Sequence, residues 1–150
     1  MSDAPQAAAF ADGRFDARSF IGFASQVGHG RALGLAFEAG GGDWTELSLA
    51  WREELVGVAT SGILASGAIV SLIDTASGTA VWSKLGSFKP LVTLDLRIDY
   101  LRPALKGETV FARCECTKLT RHLAFTRGIA HTGDPERPIA HSSGTFVLNR

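Results

Sequence analysis

From Leu55 to Ser83 the chain reads LVGVATSGILASGAIVSLIDTASGTAVWS, and Asp74 is the single ionisable side chain in it. One residue in five of the whole sequence is charged, so a run this bare has to be buried. A carboxylate inside it is costly unless it is paired, hydrogen-bonded or used. Wound as a helix from about Ser66 to Ser83, the run puts Ala65, Ile69, Leu72, Ile73, Ala76 and Ala80 on one stripe at helical spacing. Asp74 points the other way, among Gly67, Val70, Ser71, Ser77, Gly78 and Val81, a face of small or apolar residues. A helix without a wet face is covered on both sides. The chain's own sheet is one cover and a second subunit is the expected other, which puts Asp74 at a subunit interface.

At 150 residues the sequence fills one core and is too short for two ordinary domains. We therefore expect a single domain over 1–150, with residues 1–29 as an N-terminal extension carrying a short helix. Fifteen Lys and Arg balance fifteen Asp and Glu, which removes the electrostatic case for nucleic acid or an anionic membrane as the main partner and favours small-molecule chemistry. Cys114 and Cys116 are spaced for one face of a strand, with no loop between them to staple and no second Cys or His cluster to complete a metal site. Buried, reduced thiols in a cytoplasmic protein are expected. The opening MSDAPQAAAFADGRF has acidic residues where a secretory signal needs basic ones. The uncharged stretch Leu55 to Ile73 is diluted by glycine, serine and threonine and lacks interfacial anchors, so it does not read as a membrane span.

Phe15 to Val27 has the spacing of a short amphipathic helix, with Phe15, Phe20, Phe23, Ala24 and Val27 available to cap a sheet edge. Arg31 to Ala39 and Trp44 to Trp51 alternate on either side of a glycine-rich turn and predict a hairpin. After the long helix, Leu91 to Leu101 is the clearest strand, with Val92, Leu94, Leu96, Ile98 and Tyr100 on one face. Val110 to Leu119, Ala124 to His131 and Pro138 to Leu148 continue as strands separated by turns at Pro103 to Gly107, Thr120 to Leu123 and Thr132 to Arg137. No βαβα alternation is present, so the expectation is an α+β fold: a curved antiparallel sheet wrapped around one long central helix.

Three stretches, GAIVSLIDTASGTA at Gly67 to Ala80, VTLDLRIDYLRPA at Val92 to Ala104 and DPERPIAHSSGTFVL at Asp134 to Leu148, resemble the hotdog-fold acyl-CoA thioesterases of the phenylacetate-degradation (PaaI-like) group in order and spacing. The resemblance implies a general base or nucleophile at Asp74, and a helper hydroxyl from the following strand at Thr93. Where such proteins carry His-Gly-Gly at the helix start and an Asn six residues earlier, this sequence has Ala65-Ser66-Gly67 and Ala59.

Thioester hydrolysis needs an attacking oxygen and a donor for the charge that develops on the carbonyl oxygen. Asp74 would supply the first and the free amides of Ser66 and Gly67 at the helix N-terminus the second. The nucleotide of coenzyme A asks for exposed cations, for which Arg97, Arg102, Lys118, Arg121 and His122 are the candidates. His29, His131 and His141 have no metal-ligand spacing among themselves and read as satisfied or solvated. No GxSxG elbow or phosphate-binding loop is present. The expected activity is that of a homodimeric thioesterase, or a dimer of dimers, with no cofactor beyond the coenzyme A of its substrate. The competing class is a protein of the same fold that binds an acyl-CoA without turning it over.

Overall fold

The computed structural model describes residues 13–148. The first twelve residues, where part of the expectation about a leader segment falls, lie outside the described residues.

Among the described residues, two short helices come first. Helix α1, Ala17–Ala24, starts at Asp16, whose carboxylate accepts a hydrogen bond from the Ser19 amide at 2.8 Å. Hydrogen bonding from Ser19, through its hydroxyl first and its amide second, holds the Asp16 carboxyl below its usual range. Helix α2, Gly28–Leu33, ends at Gly34, which takes up left-handed backbone at φ +67°. Residues 31–33, expected to begin a strand, are therefore the last turn of α2, because Gly34 ends a helix there and the extended chain starts only beyond it. The short helix expected within Phe15 to Val27 is present as α1, with its ends drawn in to Ala17 and Ala24.

The hairpin of β1, Ala36–Gly40, and β2, Trp44–Leu49, follows as expected. A small second hairpin, β3 at Val56–Val58 and β4 at Ile63–Leu64, was not anticipated. Helix α3 runs from Ser66 to Leu85 and closes on Gly86 in left-handed backbone. The meander β5, Leu91–Tyr100, β6, Val110–Leu119, β7, Leu123–His131, and β8, Ala140–Leu148, completes the chain. Six strands form one antiparallel sheet in the order β1-β2-β6-β7-β8-β5. Helix α3 packs against β2, β5, β6, β7 and β8. This is the hotdog arrangement.

The stripe of Ile69, Leu72, Ile73, Ala76 and Ala80 is buried as expected, the first four in one cluster with Leu47, Leu49, Val110, Ala112 and Cys114 of the sheet. Ala65 is the residue before the helix rather than part of it. The sheet can approach α3 closely because small residues face it and because the buried Thr45 hydroxyl donates to the Ala76 carbonyl at 2.8 Å. From Ala76 to Val81 the helix is enclosed all round. Its first half is not: Gly67 and Val70 are exposed, and Ser71 and Asp74 are half-buried. One chain alone therefore covers only part of the second face.

Strand β5 departs from simple alternation. Thr93 pairs with Phe146 and Asp95 with Thr145, so a bulge at Leu94 reverses which side chains face inward. Leu91 and Thr93 face the helix before the bulge, and Leu96 and Ile98 pack on the core after it. Val92 and Leu94, expected on the same face as Leu96, are instead 52% and 64% exposed. Strand β5 is also an edge of the sheet. No helix among the described residues is long and apolar enough to cross a membrane.

Candidate active site

Asp74 sits in the middle of α3, where that helix passes from its uncovered to its enclosed half. The bulge in β5 turns Thr93 towards it, and the Thr93 hydroxyl donates to Asp74 Oδ1 at 2.9 Å. Both line a cavity of about 450 Å³, within the range of small-molecule sites. Its walls are otherwise largely apolar: Phe20 and Phe23 of α1, Trp82 and Gly78 of α3, Leu91 of β5 and Phe146 of β8 all contribute. The aromatic wall is braced from behind. Phe20 meets Trp82 edge-on at 5.0 Å between ring centroids, and Phe15 lies 5.6 Å from both. The Trp82 indole donates to the Lys89 carbonyl at 2.8 Å, which fixes its ring. Helix α1, read from sequence as a cap on the sheet edge, thus forms one side of the cavity together with the unexpected α2.

Ser66 and Gly67 occupy the first turn of α3. No side chain caps this helix start, Ala65 being unable to, so their amides lack intrahelical acceptors and are solvent-facing. They are eight and seven residues before Asp74, roughly 12 and 10 Å along the axis, and outside the cavity lining. The expected carboxylate and the expected carbonyl-binding amides are therefore not together within one chain. Tyr100 closes over the same helix end, donating to the Ser66 carbonyl at 3.2 Å.

The basic residues do not converge either. Arg97 is paired with Asp99, its Nε and Nη2 both 3.1 Å from Oδ1. Arg102, beyond the far end of β5, is spent on the carbonyls of Arg137 and Pro138. Arg121 and His122 are exposed at the β6–β7 corner, beside the start of β5, and Lys118 is exposed on β6. None of the five lines the cavity.

His29, read from the sequence as satisfied or solvated, is a polar group of the site. It lines the cavity, and its Nε2 lies 3.0 Å from the Ser71 hydroxyl, one helical turn before Asp74. The two residues are 42 positions apart, and no local spacing connects them. His131 and His141 lie outside the cavity: His131 is buried, stacked on Phe111 with Nε2 3.5 Å from Glu46, and His141 is exposed on β8. Cys114 and Cys116 are buried and unpaired with each other, and burial pushes the Cys114 thiol up to about 11.

Residues 61–139 match the model of the thioesterase superfamily. Among curated proteins, a medium/long-chain acyl-CoA thioesterase of Escherichia coli is 28% identical over 131 residues, covering 79% of this chain and 83% of that protein. A Pseudomonas aeruginosa relative is 31% identical over 87 residues, and the match spans 63% of that relative's length. Among solved structures, another Pseudomonas aeruginosa protein is 39% identical with a TM-score of 0.76, covering 87% of this chain and 95% of that one. A mutant of the phenylacetic acid degradation protein PaaI from Thermus thermophilus is 26% identical with a TM-score of 0.68, over 78% and 95% of the two chains. The match to the family model covers more than half of the sequence and includes Asp74, Thr93 and the helix that carries the site: the chain belongs to the thioesterase superfamily.

Proposed function

We propose that this protein is a PaaI-like acyl-CoA thioesterase in which Asp74 is the catalytic carboxylate. The observation that carries this reading is a carboxylate, hydrogen-bonded by Thr93, on the wall of an otherwise apolar cavity large enough for an acyl group. Asp74 takes a proton from water as the water oxygen bonds to the thioester carbon. The carbon–sulfur bond then breaks with its electron pair on sulfur, and the proton held by Asp74 passes to the thiolate. Water and thioester become acid and thiol, and no cofactor is consumed.

The charge developing on the carbonyl oxygen calls for N–H donors within about 3 Å. The amides of Ser66 and Gly67 fill that role from a second copy of the chain, being out of reach of Asp74 in their own. The uncovered half of α3 and the apolar edge of β5 support a homodimer, which two such dimers could extend to a tetramer. Arg121 and His122, exposed at their corner, are the better contacts for the nucleotide phosphates. Arg97 and Arg102 would first have to leave Asp99 and two backbone carbonyls. Buried free thiols fit the reducing cytoplasm, where coenzyme A esters are found.

A second reading, acyl-CoA binding without turnover, is favoured by Ala59 and Ala65 at positions where a side-chain donor would aid the reaction. Short-chain, long-chain and aromatic acyl-CoAs, assayed by free-thiol release, separate the two. Hydrolysis predicts turnover by the wild type that Asp74→Asn lowers by about 10²–10⁴-fold. Saturable binding with no thiol release from any ester would establish the binding reading instead.

A further inference from the structure

We propose that His29 is a catalytic residue of this site, donating the hydrogen bond from Nε2 to the carbonyl oxygen of the bound thioester. The inference rests on the thioesterase reading above and adds a residue to it.

The hydrogen-bond pattern around Ser71 bears on which ring nitrogen of His29 carries the proton. The Ser71 hydroxyl lies 3.1 Å from the Gly67 carbonyl and 3.0 Å from His29 Nε2. A hydroxyl has one proton to give. If it goes to the Gly67 carbonyl, which can only accept, then Nε2 carries a proton and donates to the hydroxyl oxygen. His29 is then an N–H donor aimed at the exposed face of α3, with Ser71 as its resting acceptor.

The other side-chain donors on the cavity wall are committed elsewhere. Ser25 donates to the Leu35 carbonyl, Thr75 to the Ser71 carbonyl, Trp82 to the Lys89 carbonyl and Thr93 to Asp74. Each of those bonds serves the fold or holds the carboxylate. The bond from His29 serves neither, since the Ser71 oxygen can be replaced by a carbonyl oxygen without stranding a buried group. His29 and Asp74 are also the cavity's two ionisable side chains.

Position agrees with this role. Ser71 and Asp74 are three residues apart on one helix, about 5–6 Å between Cβ atoms, so a donor held at Ser71 is within one small group of water held at Asp74. The segment bearing His29 is itself seated by close packing: a Cβ on Gly30 would fall 2.1 Å from the Ala24 carbonyl oxygen. Helix α2 is thereby pressed against the end of α1, which presents the imidazole to the cavity. His29 and an amide from the second copy would together give the tetrahedral oxygen two donors, with His29 supplying the side-chain donor that Ala65 cannot.

The test compares wild type, His29→Ala, His29→Gln and Asp74→Asn on the best substrate of the acyl-CoA panel, with kcat and KM measured separately and thermal midpoints recorded. We expect His29→Ala to lower kcat about a hundredfold with KM within threefold of wild type. His29→Gln, which keeps an N–H at similar reach, should recover to within about tenfold of wild type. Turnover by the wild type that His29→Ala leaves within twofold overturns the assignment of His29 and leaves the thioesterase reading standing. So does a rise in KM alone, which would make His29 part of the pocket wall, or an equal fall in both His29 variants with lowered midpoints, which would make it structural. No thiol release by the wild type on any ester overturns the thioesterase reading and this assignment with it.

Discussion

Among the described residues one side-chain hydrogen bond, from Thr93, orients Asp74, and the two residues differ in how readable they are. Asp74 stands out because it is alone in a run of uncharged sequence, and that isolation is physical information about burial. Thr93 enters from resemblance; what turns it inward is the bulge at Leu94, and nothing in VTLDLRIDY distinguishes a bulged strand from a regular one. His29 is less legible still, because a lone histidine between glycines acquires meaning only when α2, packed on α1, brings it within hydrogen-bond reach of Ser71 on α3. For the half-exposed Thr93–Asp74 pair, losing the bond removes about 1 kcal/mol of orientation. Thr93→Ala should therefore lower kcat roughly five- to tenfold, whereas Thr93→Ser, which retains the hydroxyl, should stay near wild type in the thiol-release assay. The cysteines give a prediction of opposite sense. Burial keeps the Cys114 thiol protonated to about pH 11, so at pH 8 it lacks the thiolate needed for alkylation. Iodoacetamide should leave Cys114 unlabelled in the native protein and modify it fully in urea, as read by peptide mass spectrometry. Because the native thiol holds its proton longer than an unfolded one, this group contributes a loss of stability that begins as pH rises past about 9.

At the scale of elements, α3 and the sheet fit because glycine occupies the places where two side chains already meet. Gly128 of β7 lies between Cys114 and Ser142 across the ladder, and a Cβ there would fall 2.5 Å from the Cys114 sulfur and 2.7 Å from the Ser142 hydroxyl. Cys114 has nowhere to move, being fully buried with its sulfur 3.8 Å from the Ile73 carbonyl. Gly128→Ala should thus destabilise the protein by about 1–3 kcal/mol through overpacking, read as a lower urea midpoint with an unchanged slope. Strands β2, β6, β7 and β8 were legible because each has a half-buried alternation of period two, which sequence carries directly. β6 shows it plainly, burying Val110, Ala112, Cys114 and Cys116 and exposing Arg113 and Glu115. Helix α2 was not, since residues 31–37 alternate as a strand would and only the left-handed turn at Gly34 divides them into helix and strand.

On the scale of the whole molecule, the feature left open by one chain is the surface formed by β5 and the first half of α3. Strand β5 presents unpaired backbone along ten residues, with Val92, Leu94 and Tyr100 exposed beside it at 52%, 64% and 44%. An edge that long and apolar is an association site unless charge or proline blunts it. Arg97 and Asp95 do so weakly, as Arg97 is already neutralised by Asp99. Antiparallel pairing of β5 with the same strand of a second copy would satisfy that backbone and bury the same patch on both protomers, the closed two-fold arrangement most common among oligomers. It would also cover Gly67, Val70 and Ser71, the part of α3 that its own sheet leaves bare. The sequence suggested this through the absence of a charged face on α3, and the roughly 12 Å between Ser66 and Asp74 gives the same reasoning a catalytic consequence under the function proposed above: amides and carboxylate would act together only across two chains. Leu94→Glu puts a charge at the centre of that edge and leaves the side chains of Asp74, Thr93 and His29 unchanged. Sedimentation at micromolar concentration should find the variant monomeric with an unchanged circular-dichroism spectrum, and its kcat/KM should fall by about a hundredfold or more as the donors from the second copy are lost. A monomer with wild-type turnover would mean that each chain completes its own site, and the assignment of the Ser66 and Gly67 amides would then fail.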